Sequence, residues 1–265
     1  AAGAVTKCLL RELGIEVLGF VRQILDARTE ADVTPENWKA MLAARDASET
    51  YCPDAVVTER QCQIIRQAKV DKDTIGGIVE AHVFGCPPGL GSCMDWRTRL
   101  DARLAYAVMG VQAMKAVEIG LGRDCASRPG SQVHDPIRFD PARKGDHTLG
   151  FLRDSNNAGG TEGGITNGQP VVVKATMKPI STLLRGLPSV DLNTKQPDMS
   201  QYERSDICAV SAASVVVENV VAFEIARALT EKFPSDSMIE LRRAIQSYLE
   251  YARSLPLDPP TMTIA

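Results

Sequence analysis

The chain has 265 residues, of which 44% are apolar and 24% are charged, as is ordinary for a globular protein with a substantial core. Its formal net charge of −3 argues against a surface that coats nucleic acid. No apolar run approaches the roughly 20 residues that cross a bilayer, and no secretory signal is visible. We therefore expect a cytoplasmic protein with neither nucleic acid nor a membrane as its partner.

The seven cysteines form an odd set without a Cys-x-x-Cys pair, and the three histidines do not complete a zinc-binding pattern. We therefore expect reduced, mostly buried thiols and no metal centre.

The first part of the chain mixes helical and extended patterns. The predicted elements are a helix over 1–13, a strand over 15–24, a helix from 34 to about 44, a turn at 52–54, a helix over 56–70 and a strand over 78–84. Gly14 ends the first helix, and Thr34 with Pro35 is typical of a helix start. The alternating faces of residues 78–84 indicate a half-buried antiparallel strand. In it, His82 fits a satisfied strand histidine better than a catalyst.

The second part continues in the same mixed way. The predicted elements are a tight turn over 85–91, a core helix over 98–117, a polar loop over 120–155, a strand over 171–177, a helix over 207–232 and a final helix opened by a capping box at Ser237 and Glu240. We expect an α+β fold with mainly antiparallel sheet. Residues 1–255 would form one domain and residues 256–265 a frayed tail.

A glycine-rich run extends from Asn156 to Pro170 and holds five of the chain's 20 glycines. Glycine allows the backbone to turn with positive φ or to lie against a ligand. A flexible linker is the alternative, but linkers lack interleaved Asn, Thr, Glu and Gln. We interpret the run as a ligand-binding loop.

Two further segments carry candidate chemistry. At the end of the strand over 171–177, Lys178, Ser181 and Thr182 gather an ammonium, two hydroxyls and backbone N–H groups, which suits a phosphate. An ordinary strand-to-loop transition explains the same residues equally well. Before the long helix, Arg204 and Asp206 bracket Ser205. Asp206 is either a helix cap or a base beside a bound charged ligand.

Several segments, taken in chain order, resemble segments of chorismate synthases. The matching segments are residues 85–91, Met94-Asp95, Arg99-Leu100-Asp101, residues 115–120, residues 157–169, residues 177–182 and Arg204-Ser205-Asp206. The resemblance extends to about Ala228.

The resemblance implies an activity. Such enzymes convert 5-enolpyruvylshikimate 3-phosphate to chorismate by anti-1,4-elimination of phosphate and a ring hydrogen, in the shikimate pathway of aromatic amino acid biosynthesis. They require reduced FMN without net redox change, and in some members NADPH reduces the flavin. The enzymes of this family are cytoplasmic homotetramers, and in their fold helices lie between antiparallel sheets.

The resemblance also implies site residues. The implied FMN contacts are Gln112, Ala113, Asn157, Gly163, Lys178, Pro179, Ile180, Ser181, Thr182 and Arg204. Asp206 would be the catalytic carboxylate near the flavin.

One part of the family pattern is missing. The family's Arg-Ser-Ser-Ala-Arg-Glu-Thr segment precedes a helix like residues 1–5, and two family histidines lie further upstream. None of His82, His134 and His147 matches those histidines. We expect the chain to be part of a longer protein and to have little or no activity alone. A non-catalytic flavin- or phosphate-binding assembly module is the alternative.

Overall fold

The computed structural model describes residues 1–201 and 203–254, so the tail predicted from Pro256 lies outside the described residues. The helices are α1 (Ala2–Arg11), α2 (Trp38–Asp46), α3 (Ala55–Val70), α4 (Leu100–Met109), α5 (Val210–Lys232) and α6 (Met238–Arg253). The longer strands are β1 (Glu16–Ile24), β3 (Gly77–Phe84), β4 (Met114–Ile119) and β9 (Val171–Met177). The short strands are β2 (Ala27–Arg28), β5 (Ile137–Phe139), β6 (Phe151–Arg153), β7 (Thr161–Glu162), β8 (Ile165–Thr166), β10 (Pro188–Val190) and β11 (Pro197–Met199).

A five-stranded antiparallel sheet in the order β2-β1-β3-β9-β4 forms the centre of the fold. The short strands β5–β6, β7–β8 and β10–β11 form separate two-stranded ribbons. Helices and antiparallel sheet are thus mixed, which confirms the predicted α+β class. A second large sheet, which would complete the sandwich that the resemblance implies, is not among residues 1–201 and 203–254.

The two faces of the central sheet are both covered. On one face, Val79, Ala81 and Val83 of β3 join the apolar core that includes α5. On the other face lie Glu80 and His82, which are 3% and 5% exposed. The prediction of a half-buried strand is therefore wrong. The alternation is real, but α2 and loops cover the polar face, so both sets of side chains are buried.

Helix α5 is the central helix, and a buried carboxylate ties it to three other elements. Glu218 accepts hydrogen bonds from Lys7 of α1, from Arg45 of α2 and from the backbone N–H of Gly19 in β1, the last at 2.8 Å. A buried charge with this many donors is well compensated. Although α5 has 23 residues, no helix in the described part of the chain is long and apolar enough to cross a membrane.

The predicted core helix over 98–117 is wrong in its second half. Helix α4 ends at Met109, Ala113 adopts a φ of +66°, and the chain then enters β4. Pairing with β9, in which Val117 lies opposite Ala175, satisfies the backbone of this segment as an edge strand. The apolar residues at 100, 104 and 108 have helical spacing. Val117 instead lies in a strand, in which side chains alternate between two faces.

Two smaller expectations also differ from the structure. The helix predicted from Thr34 begins at Trp38, because residues 34–37 form a turn in which the Asn37 amide oxygen accepts from the Thr34 N–H at 2.8 Å. The seven cysteines, all within the described residues, are free, but only Cys52 and Cys86 are buried. The thiols are therefore not mostly buried.

Candidate functional site

Several predicted site residues meet where β4 begins and β9 ends. The backbone N–H of Lys178, just after β9, donates to the carbonyl of Ala113, just before β4, at 3.0 Å. The Ser205 hydroxyl donates to the carbonyl of Thr182 at 3.0 Å. These bonds bring together three predicted segments, which we call the strand-end cluster: Gln112, Ala113, Lys178, Pro179, Ile180, Ser181, Thr182, Arg204 and Asp206.

The strand-end cluster is open to solvent. Gln112, Lys178, Ser181, Arg204 and Asp206 are exposed, and the remaining members are at least partly accessible. Two cationic side chains, a hydroxyl and a carboxylate can therefore contact a bound molecule directly.

The donors of the cluster fit a phosphorylated aromatic cofactor. The ammonium of Lys178, the guanidinium of Arg204 and the Ser181 hydroxyl suit a phosphate, and Ala113 and Pro179 offer small apolar surfaces to a ring. Ala113 has the left-handed φ of +66°, which is uncommon for a residue with a Cβ. Such strained backbone concentrates at functional sites.

Gly163 and Asn157 lie outside the cluster. Gly163 is in the β7–β8 turn, and the carbonyl of the adjacent Gly164 accepts from the Leu100 N–H at 2.8 Å, where α4 starts. Gln112 follows the other end of α4, a helix of ten residues that extends about 15 Å. The carbonyl of Asn157 accepts from the Leu121 N–H at 2.8 Å, beyond the far end of β4.

The glycine-rich run has a mainly structural role. Gly159, Gly160, Gly163, Gly164 and Gly168 all have positive φ. A Cβ on Gly160 would lie 2.4 Å from the Pro170 carbonyl oxygen, and clashes with backbone or Arg99 arise similarly at Gly159 and Gly164. At Gly163 alone of the five, a Cβ would have nothing within 4 Å among the described residues. Of these five positions only Gly163 faces open space, and there the interpretation as a ligand-binding loop stays a prediction.

Asp135, which the sequence did not single out, anchors the start of this run. Its carboxylate accepts from the Ser155 hydroxyl at 2.6 Å and from the backbone N–H groups of Asn157 and Ala158 at 2.8 and 2.9 Å. These bonds agree with an ordered loop rather than a linker. One aspartate in a polar stretch gave no signal from which this role could be predicted.

A cavity lies elsewhere, over the polar face of the sheet. It has a volume of about 600 Å³, and among its lining residues are Arg22, Glu80, His82 and Lys174, with Asn157 as the only member of the predicted site. Glu80 binds the Arg22 guanidinium at 2.7 and 2.9 Å and His82 Nε2 at 2.6 Å. These contacts satisfy Nε2 of His82, but Nδ1 is buried without a hydrogen-bond partner among the described residues. The prediction of a satisfied strand histidine is therefore confirmed for one ring nitrogen only.

The ionisation of Glu80 is set by these two partners. Burial raises the pKa of the Glu80 carboxyl, but the hydrogen bonds and charges of His82 and Arg22 outweigh it and hold the pKa well below its usual range. At the floor of the cavity, the charges of Glu80 and Arg22 therefore compensate each other. In residues 1–201 and 203–254, no cluster of His, Cys, Asp and Glu is arranged to hold a metal ion.

Comparison with known proteins gives one consistent family. The sequence model of the family "Chorismate synthase" matches residues 1–230. Chorismate synthases from Geobacter sulfurreducens and Oceanobacillus iheyensis are 53% and 48% identical over 256 and 255 residues, 96% of this chain in each case. A crystal structure of chorismate synthase matches with a TM-score of 0.81 and 37% identity, covering 96% of this chain and 68% of that chain. The chain spans 64% of the length of these two curated relatives.

Proposed function

Because this chain belongs to the chorismate synthase family, we propose that the protein containing it converts 5-enolpyruvylshikimate 3-phosphate to chorismate and phosphate. The observation that supports this most is the strand-end cluster. It joins three segments separated by up to about 90 residues in the sequence, and each was assigned to the same site by resemblance.

We propose that the strand-end cluster binds reduced FMN. Lys178, Ser181 and Arg204 would hold the phosphate or polar ring atoms by charge-assisted hydrogen bonds, while Ala113 and Pro179 would contact the ring. When bound, reduced flavin would supply electron density that assists loss of phosphate and takes part in proton removal. Gly163 and Asn157 remain proposed contacts that this chain does not bring to the cluster.

Asp206 would hold a proton at its carboxylate during the elimination. It is exposed and is two residues from Arg204 in the sequence, and in extended chain two such side chains face the same side. A positioned carboxylate can accept or return a proton in the transition state. The reaction breaks the bond between the ring and the phosphate oxygen and removes one ring hydrogen as a proton, so no net oxidation occurs.

Other properties of the family remain proposals here. We propose a cytoplasmic homotetramer, in which the flavin is reduced either with NADPH by the protein itself or by an outside reductase. For the 265 residues alone we propose little or no turnover, because the exposed cluster offers no enclosure that would exclude water from the reaction.

The openness of the cluster also favours a second candidate, a flavin- or phosphate-binding assembly module without catalysis. An anaerobic assay of the protein containing this chain, with photoreduced FMN and 5-enolpyruvylshikimate 3-phosphate, separates the two. Chorismate and equimolar phosphate would support the first candidate. FMN binding without either product would support the second. Failure to bind FMN would contradict the first, and failure to bind inorganic phosphate as well would contradict both.

A further inference from the structure

The segment that joins α3 to β3, residues 72–76, contacts both halves of the strand-end cluster. Thr74 Oγ1 donates to the carbonyl of Ile180 at 2.5 Å. The backbone N–H of Ile75 donates to the carbonyl of Ile207, next to Asp206, at 3.0 Å. One short segment thus holds the loop after β9 and the chain that carries Arg204 and Asp206.

Gly76 extends this contact along the backbone of the loop. A Cβ at this position would lie 2.3 Å from the carbonyl oxygen of Met177 and 2.9 Å from the nitrogen of Pro179. Real Cβ atoms do not approach backbone this closely, so any larger residue would displace the segment that carries Lys178.

The outer part of the loop is fixed by the same segment. The Arg185 guanidinium pairs with the Asp73 carboxylate at 2.8 Å, and the Arg185 backbone N–H donates to the carbonyl of Lys72 at 3.1 Å. The bond from Ser205 to Thr182 closes the arrangement from the other side. The loop is therefore held before, within and after residues 178–182.

Burial makes the Thr74 contact the strongest candidate for a positioning interaction. Thr74 is 6% exposed, so its hydroxyl and the Ile180 carbonyl would lose a partner in a largely water-free place if the bond were removed. Small displacements of groups that orient a reactant have large effects on rate.

We propose that residues 72–76 set the position of Lys178 relative to Arg204 and Asp206, with Thr74 and Gly76 as positioning residues. Neither residue needs to touch the ligand. The proposal rests on the proposed function for the identity of that ligand, but not for the contacts themselves.

The test compares Thr74→Val, which removes the hydroxyl at nearly constant shape, with Thr74→Ser, which keeps it. Thr58→Val is the control away from the cluster. Thr58 Oγ1 also donates to a backbone carbonyl, that of Cys52 at 3.2 Å, and it pairs with the Ser48 hydroxyl at 2.9 Å. For each variant of the protein containing this chain, the measurements are the Tm, the FMN dissociation constant, kcat and amide hydrogen exchange of residues 178–182.

We expect Thr74→Val to speed exchange at residues 178–182. We also expect it to weaken FMN binding about tenfold, because a loop freed of this hydrogen bond must be ordered again when the ligand binds. Thr74→Ser should keep the wild-type exchange rate at residues 178–182 and the wild-type FMN affinity. Thr58→Val should lower the Tm without changing the exchange rate or the affinity. Wild-type exchange and affinity in Thr74→Val would overturn the proposal, as would an equal loss of affinity in Thr58→Val.

Two further outcomes are informative. If Thr74→Val does not fold, Asp73→Asn removes the charge within residues 72–76 that pairs with Arg185 and is judged by the same two readouts. If the wild-type protein does not bind FMN, the proposed function fails, whereas unchanged exchange in Thr74→Val is what would refute the positioning role.

Discussion

At the scale of single residues, the glycines of the 156–170 run divide by what surrounds them. The sequence indicated that this density of glycine has a purpose, and all five glycines do adopt positive φ. It could not show that Gly159, Gly160 and Gly164 serve close packing while Gly163 faces open space. That distinction depends on which distant backbone approaches each residue, which no local pattern encodes.

This division predicts different costs for two alanine substitutions. Gly163→Ala should lower the free energy of unfolding by about 1 kcal/mol, the cost of a left-handed conformation for a residue with a Cβ. Gly160→Ala adds a clash with the Pro170 carbonyl oxygen and should cost about 3 kcal/mol or more. Urea unfolding measures both values. An equal loss of unfolding free energy in the two variants would show that Gly160 does not pack against the Pro170 carbonyl.

Glu80 gives a second prediction at this scale. Glu80→Gln leaves the buried Arg22 guanidinium without its counter-charge and should cost about 3 kcal/mol at pH 7. Glu30→Gln is the control, since the Glu30 side chain is 80% exposed and its pair with Arg28 should contribute little.

The Glu80 effect should depend on pH in a defined direction. The pKa of Glu80 is lower in the folded protein than in the unfolded chain, where it is about 4.3. The ionised Glu80 carboxylate therefore stabilises the folded protein at pH values above the pKa of the unfolded chain. This stabilisation decreases as the pH falls from there toward the lower pKa of the folded protein. The difference in unfolding free energy between wild type and Glu80→Gln should narrow from about pH 5 downward. A constant difference from pH 7 to pH 3 would contradict this.

At the scale of elements, the period-two pattern of residues 171–177 and the capping box at Ser237 were reliable. The helix start predicted at Thr34 and the long helix predicted over 98–117 were not. The strand over 171–177 matches β9, and the capping box predicted at Ser237 is present, with the Glu240 N–H donating to the Ser237 hydroxyl at 3.3 Å. The helix prediction was wrong for residues 114–119 because pairing with β9 makes this segment a strand. Edge-strand pairing is a tertiary interaction that overrides local propensity.

The cap of α6 provides the test at this scale. Ser237→Ala removes the acceptor for the Glu240 N–H and should lower stability by about 1 kcal/mol. Ser235→Ala, two residues earlier and outside the helix, should have little effect. Guanidinium unfolding of the two variants measures the difference. If Ser235→Ala cost as much as Ser237→Ala, capping would not be the cause.

At the scale of the whole molecule, the sequence predicted the α+β class. It also singled out residues that the structure brings together in the strand-end cluster, whose role as a site stays a prediction. The bonds from Lys178 to Ala113 and from Ser205 to Thr182 show why these distant segments belong together. What the sequence could not give was the scaffold beneath them. Thr74 and Gly76 act through backbone contacts with residues about 100 positions away, and such contacts leave no local signature.

Asp206→Asn distinguishes a strand-end cluster that is the reaction site for chorismate formation from one that only binds a ligand. The substitution keeps the shape of the side chain and removes its charge, while Glu203→Gln does the same at a nearby exposed carboxylate. In the protein containing this chain, we expect the rate of chorismate formation with reduced FMN to fall about 100-fold or more in Asp206→Asn. FMN affinity should change little, and Glu203→Gln should retain the wild-type rate. Chorismate formation by Asp206→Asn at the wild-type rate would contradict the account.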